Sequence, residues 1–169
     1  MLEHNCESFP EFKGIDKFSG SLSNGGAFRQ IDSRGTCVYI PEGFGTVFPY
    51  IFVRNAEGFI AFLKSAFDAK ELGRTVRENQ IANARIRIGT TAFMVSDAGA
   101  SIQPTQSAFY IYVENADESY ARAVSCGARA MFSPVEMPYG DKQGGVTDPF
   151  GNIWWISQRL DPKPYDAAN

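Results

Sequence analysis

Arg85 and Arg87, one residue apart in Ile81-Ala-Asn-Ala-Arg-Ile-Arg-Ile88, are the side chains in this sequence best suited to grip an anion. A guanidinium fork meets a carboxylate or phosphate-like group through parallel hydrogen bonds. The strict alternation predicts a strand with Asn83, Arg85 and Arg87 on one side and Ala84, Ile86 and Ile88 on the other. Arg85, nearer the strand centre, is the better shielded and the stronger candidate for binding a ligand. If that side faces solvent, both are ordinary surface charges. Asp141 and Lys142 form a second charged pair, inside Ser133 to Gly145, which reads as a long loop. Loop charges of this kind either are solvated or hold a polar ligand and act as a gate. Asp148, next to Pro149, reads as a carboxylate that accepts turn amides.

The remaining chemistry is narrowed by what the chain lacks. His4 is the only histidine, so a Ser-His-Asp set cannot be assembled. Acid–base work would fall to Tyr, Lys, Asp or Glu, and no single residue is marked as catalytic. Cys6, Cys37 and Cys126 follow no metal-binding spacing and cannot all pair, which fits a reduced, cytoplasmic setting. Gly25-Gly26 and Gly144-Gly145 lack the strand-to-helix context of a phosphate loop. A formal net charge of −3 leaves no electrostatic footprint for nucleic acid or an anionic membrane. No apolar run approaches the ~20 residues of a membrane helix. Met1-Leu-Glu-His-Asn-Cys6 lacks the basic start and apolar core of a signal peptide.

These residues must be positioned by a repeat. A constant offset carries Tyr50, Ile51, Val53, Asn55, Ala56 and Ala61 onto Tyr110, Ile111, Val113, Asn115, Ala116 and Ala121. In each copy a β-branched and aromatic run precedes an Asn that can cap a helix, with acids in its first turn. Phe59, Ile60, Phe62, Leu63, Ala66 and Phe67 recur at helical spacing and predict the first helix's buried face. Tyr120, Ala121, Ala123 and Val124 are the corresponding expectation for the second, which Gly127 ends. Each helix is followed by strands, with Gly89-Thr90 as a hairpin turn and Asn152 to Ser157 as the last strand. Residues 1–40 read as an N-terminal arm, with Thr36 to Ile40 a short strand and scattered Phe residues as pins. Residues 41–158 form the domain, in modules of about 46–97 and 107–158, and residues 159–169 a solvated C-terminal tail. Fourteen Phe, seven Tyr and two Trp are a high aromatic load; aromatics fill the core first, and a surplus can line an apolar pocket.

Strand, helix and three strands, made twice, resembles the vicinal-oxygen-chelate superfamily of glyoxalase I, extradiol dioxygenases and bleomycin- and fosfomycin-resistance proteins. The resemblance is carried by Pro41-Glu-Gly-Phe44 with Thr46-Val-Phe-Pro-Tyr50, by Ile81 to Gly89, and by Gly144-Gly-Val-Thr-Asp-Pro-Phe-Gly-Asn-Ile-Trp-Trp-Ile156. It implies an α+β fold of two βαβββ modules, with curled mixed sheets enclosing a cavity. In the family a divalent metal is usually held there by side chains on four strands. Aligned through the repeat, those slots fall at Phe48, Met94, Ala108 and Trp155, none of which suits a hard ion. Histidines common in relatives are replaced by Gly45, Asn83 and Asn152, and an acid by Arg85. The expectation is therefore no metal and no cofactor.

Phe48, Met94 and Trp155 either fill the core or line an apolar binding cavity. Tyr50, Phe52, Tyr110 and Tyr112 share the parity of Phe48 and Ala108, so they face the same way and would stack on a planar ligand. The expected function is metal-independent binding, by sequestration, of a small aromatic or hydrophobic molecule in a cytoplasmic homodimer, as the resemblance to the resistance proteins implies. A void above ~300 Å³ beside Trp155 is its structural requirement. A lyase or isomerase using a Tyr or Lys base, and a homologue with no ligand, are the alternatives.

Overall fold

In the computed structural model each copy of the repeat folds as one strand, one helix and three strands. The structure describes residues 30–31, 37–38, 40 and 44–165. Two units are distinguished, Met1–Tyr39 and Ile40–Asn169. In the first, β1 (Gln30–Ile31) pairs antiparallel with β2 (Cys37–Val38). Expectations for His4, Cys6, the Phe residues of the arm, Gly25-Gly26 and Pro41 to Gly43 lie outside the described residues.

In the second unit the first module comprises β3 (Tyr50–Val53), α1 (Ala56–Phe67), β4 (Lys70–Arg77), β5 (Gln80–Ile88) and β6 (Thr91–Asp97). The second comprises β7 (Ala108–Tyr112), α2 (Ala116–Ser125), β8 (Arg129–Glu136), β9 (Asp141–Thr147) and β10 (Ile153–Arg159). The sheets run β3-β6-β5-β4 and β7-β10-β9-β8. Each is mixed: β3 lies parallel to β6 and β7 to β10, and the other pairs are antiparallel. The fold is α+β with two repeated modules, and neither sheet closes on itself.

The repeat reaches the atoms that start each helix. Asn55 Oδ1 accepts the Gly58 amide at 3.0 Å, and Asn115 Oδ1 accepts that of Glu118 at 3.2 Å. Each satisfies an amide that the first helical turn leaves unpaired. A side chain from each module's last strand takes another: Asp97 accepts from Ala56 N at 2.7 Å, and Gln158 from Ala116 N at 3.1 Å. Helix and sheet are thereby tied at matching points.

Ile51, Val53, Phe59, Ile60, Leu63, Ile86, Val95, Val146, Trp154 and Ile156 form the core. The modules join through aromatic contacts of this layer. Phe67 lies 4.6 Å from Trp154, Phe59 lies 5.3 Å from Phe150, and Phe93 stacks on Phe109 at 6.3 Å between centroids. The predicted face of α1 is buried throughout. On α2 the buried residues are Ala116, Ser119 and Ala123, while Ala121 and Val124 are exposed. The stripe of α2 is narrower than expected because small side chains at i, i+3 and i+7 suffice where it crosses the sheet.

The largest departure from expectation is the segment Ser133 to Gly145. It is not a long loop: β8 runs to Glu136 and β9 begins at Asp141. Pro134 and the glycine pair suggest a break, but they are complementary. A Cβ on Gly144 would lie 2.9 Å from Pro134 Cγ, and one on Gly145 would lie 2.6 Å from Phe132 Cε1. The glycines let β9 accept two rings from β8, and the register slips between Phe132 and Val135 to fit them.

Candidate functional site

Each sheet has a face turned away from its helix, and the sequence-predicted residues gather there in two groups. In the first module Tyr50 stands opposite Met94 across β3 and β6, and Arg85 stands opposite Met94 across β5 and β6. The Tyr50 and Phe52 rings are 4.4 Å apart, as are those of Phe44 and Phe48. The half-buried Arg85 holds its guanidinium carbon 5.8 Å from the Phe44 ring centroid, the geometry of a cation–π contact. Tyr50 Oη meets Ser96 Oγ at 2.6 Å, and Asn83 Nδ2 donates to Tyr50 Oη at 3.2 Å.

The second module repeats this constellation. Tyr110 stands opposite Trp155, and its hydroxyl donates to Ser157 Oγ at 2.9 Å. Tyr50, Met94, Ser96 and Asn83 therefore correspond to Tyr110, Trp155, Ser157 and Gln143. Here a buried carboxylate is added. Asp141 is fully buried, and its Oδ2 lies within hydrogen-bonding distance of Ser157 Oγ at 2.8 Å, Tyr110 Oη at 3.2 Å and Tyr165 Oη at 2.5 Å. Its Oδ1 accepts from Arg159 Nη1 at 2.9 Å. Trp155 is half-buried against Phe132, 5.7 Å away.

Two placements differ from expectation. Asp141 and Lys142 lie in β9, so they point to opposite faces. Lys142 pairs with Asp117 in the first turn of α2 and does not share the site of Asp141. The tail is not simply solvated, since Tyr165 folds back onto Asp141. A buried carboxylate needs donors, and Tyr165 adds one to those that Tyr110, Ser157 and Arg159 supply from the strands.

Electrostatics follow from these contacts. Burial alone would raise the Asp141 carboxyl, but hydrogen bonds from Tyr165, Arg159, Ser157 and Tyr110 outweigh it and hold the group below its ordinary 3.8. Burial pushes the Tyr110 phenol well above its ordinary 10.0. A depressed carboxylate contributes stability that is present above its unfolded value and lost as pH falls through the folded one. We therefore predict that the stability difference between wild type and Asp141→Asn stays level from about pH 5 to 8 and shrinks below about pH 4. Urea midpoints measured against pH test this; a difference that persists undiminished at acid pH contradicts it.

The metal that the resemblance implies can be tested on donor chemistry. Phe48, Met94, Ala108 and Trp155 offer two rings, a methyl and a thioether, and the Met94 sulfur already lies 3.3 Å from Asn83 Nδ2. Hard divalent ions take carboxylate, imidazole or carbonyl donors. The residues at these slots do not fit such an ion. Among the described residues no group of three or more His, Cys, Asp or Glu is placed to hold one.

A cavity of about 830 Å³ lies at the junction of the modules. Its wall includes Phe67, Ile88, Phe93, Phe109 and Trp154, with Tyr110 and Tyr112 from β7. Trp154, not Trp155, lines this space, so the void expected beside Trp155 is found instead against the residue on the opposite face of β10. Asp148 proves structural: it is buried and accepts from the amides of Phe150 and Asn152, from Asn152 Nδ2 and from Trp154 Nε1, each at 2.9 Å. Sequence reasoning did not single out Ser96, Ser157, Gln143, Arg159 or Tyr165. The two serines had a signal, since each lies two residues past its module's slot residue, Met94 or Trp155.

A family model described as the Glyoxalase/Bleomycin resistance protein/Dioxygenase superfamily matches residues 43–156. An uncharacterised protein of Mycobacterium bovis is 31% identical over 122 residues, covering 65% of this chain and 80% of that protein. Among solved structures, a gene product of Arabidopsis thaliana is 25% identical, covering 68% of this chain and 98% of its own, with a TM-score of 0.54. TioX from Micromonospora sp. ML1 is 20% identical over 68% of this chain and 99% of its own, with a TM-score of 0.55, a likeness of fold.

Proposed function

The chain belongs to the glyoxalase/bleomycin resistance protein/dioxygenase superfamily, and on that premise we propose that it binds and sequesters a small planar aromatic or hydrophobic molecule without a metal. The observation that carries this reading is the make-up of the two helix-free faces. Apolar side chains stand at the family's metal slots, and exposed tyrosines flank them: Tyr50, Tyr110 and Tyr112 are 39%, 46% and 55% exposed. Aromatic walls with a few fixed polar atoms favour a flat ligand over a bare anion. Phe48, Tyr50, Phe52, Arg85 and Met94 form one half of the proposed site; Tyr110, Tyr112, Asp141 and Trp155 form the other.

Each half is open on its own, so a homodimer that covers both is part of the proposal, in a reduced cytoplasmic setting. No helix among the described residues is long and apolar enough to cross a membrane. An enzyme using a Tyr or Lys base finds less support. The phenol of Tyr110 is held protonated by its surroundings, and Lys142 points to the other face, toward Asp117.

A thermal-shift screen of planar aromatics tests the reading. Binding to the native state alone adds about 2.7 kcal/mol at a hundredfold excess over Kd. For a chain of this size that raises Tm by about 5–10 °C. No shift with any planar aromatic at millimolar concentration would count against it.

A further inference from the structure

The polar cluster of the second module is already built around one phenol, and that phenol belongs to the chain itself. Past β10, the segment Leu160 to Tyr165 has no helix or strand and adds no side chain to the core. Hydrogen bonds hold it instead. The Leu160 and Asp161 amides donate to Gly140 O at 3.0 and 3.2 Å, and Arg159 Nη2 donates to Lys163 O at 2.6 Å. At its end the Tyr165 ring lies over the Arg159 guanidinium, 4.1 Å from Cζ to centroid, with the Tyr139 ring 6.3 Å away.

The Tyr165 hydroxyl is recognised on both sides of its oxygen. It donates to Asp141 Oδ2 at 2.5 Å, so in its 2.6 Å contact with Tyr112 it must accept. A carboxylate acceptor, a phenol donor and a guanidinium plane together specify an aromatic hydroxyl. An unsubstituted ring would leave the first two unused. A second, independent observation lies on the same strand face. Gln143, two residues along β9 from Asp141, is buried, and its Nε2 has no acceptor among the described residues. Its Oε1 is taken by the Tyr139 hydroxyl at 3.1 Å. Tyr165 carries no group that could serve this orphan donor, and a buried donor left unpaired is costly.

We propose that the helix-free face of the second module is a phenol-recognising subsite for a phenol bearing a hydrogen-bond acceptor, and that Tyr165 occupies it in the absence of that ligand. The proposal rests on reading this face as a ligand site and narrows the ligand to one chemical class. Asp141 and Tyr112 read the hydroxyl, Arg159 stacks on the ring, and Gln143 meets the acceptor. Tyr165 is the internal competitor, and a ligand must displace it. A tethered group competes at an effective concentration in the millimolar range for short tethers. Weak, non-phenolic aromatics are thereby kept out. Tyr165 is 48% exposed and outside the core, and without it Asp141 keeps Tyr110, Ser157 and Arg159 within hydrogen-bonding distance, so its replacement should cost stability without unfolding the chain.

The test titrates the full-length wild type, Tyr165→Phe and Tyr165→Ala with 4-methylphenol and with toluene, followed by NMR shifts of the backbone amides. Removing the competitor should tighten 4-methylphenol by about tenfold in Tyr165→Ala, as expected if the free subsite is open about a tenth of the time. Tyr165→Phe should fall between, and adding Asp141→Asn to Tyr165→Ala should remove the gain. Toluene meets the same occupant and gains a similar factor, but it binds Tyr165→Ala about tenfold more weakly than 4-methylphenol, because it uses neither Asp141 nor Tyr112. If both probes bind wild type and Tyr165→Ala alike, phenol recognition and the internal occupant are refuted while aromatic binding stands. If neither probe binds any form but other planar aromatics raise Tm, the subsite again fails alone. If nothing binds or raises Tm, both readings fall.

Discussion

Asp148→Ala lowers stability by about 3–5 kcal/mol, because four N–H donors, three of them buried, lose one shared acceptor. For a chain of this size the thermal midpoint falls by about 6–20 °C. The effect reaches the proposed site. Asp148 fixes the turn into β10 and ties down Trp154 Nε1, and β10 then presents Trp155 and Ser157 on the opposite face. Asp148→Asn should cost nearly as much, since its amide nitrogen meets donors and restores at most one acceptor. Urea midpoints check both variants. A loss under about 1 kcal/mol for alanine would show that the turn holds without the carboxylate.

Trp155→Ala weakens binding of a planar aromatic by about tenfold to a hundredfold. Trp155 is half-buried against Phe132 and stands beside Tyr110, so its indole is the broad apolar wall of the second face. Losing that area, and the ring-on-ring term with it, costs about 1.4–3 kcal/mol of binding. Met94→Ala should have a smaller effect, because a thioether offers less surface and no ring. Calorimetric titration of both variants with the best aromatic from the thermal screen measures this. Unchanged affinity in Trp155→Ala would move the ligand away from this face, with the cavity beside Trp154 as the next place to look.

What could be read from the sequence was local or repeated. Asn55 and Asn115 with their following acids announce two helices, and the alternation from Ile81 to Ile88 announces β5. The offset between Tyr50 and Tyr110 makes the modules equivalent before any coordinate is known. The missed features depend on distant partners. Nothing near Pro134 signals that Gly144 and Gly145 receive its ring and that of Phe132. Without β9, Asp141 and Lys142 cannot be assigned to opposite faces, and the tail residue Tyr165 has no visible partner. Ser96 and Ser157 were legible in principle, since the repeat aligns them. Their meaning appears only when each is seen beside its tyrosine.

The same repeat that reveals the family also carries the departure from its usual chemistry. At equivalent points of the two sheets stand Met94 and Trp155, residues that can pack against a ring but cannot hold a hard ion. The central claim is therefore that ligand binding on these faces owes nothing to a divalent metal. The direct measurement is a tryptophan-fluorescence titration of wild-type protein with the best aromatic from the screen, run in excess EDTA and again with added zinc, nickel or manganese. The prediction is saturable quenching with the same Kd in every case. Binding that disappears in EDTA and returns with a divalent ion would contradict the claim.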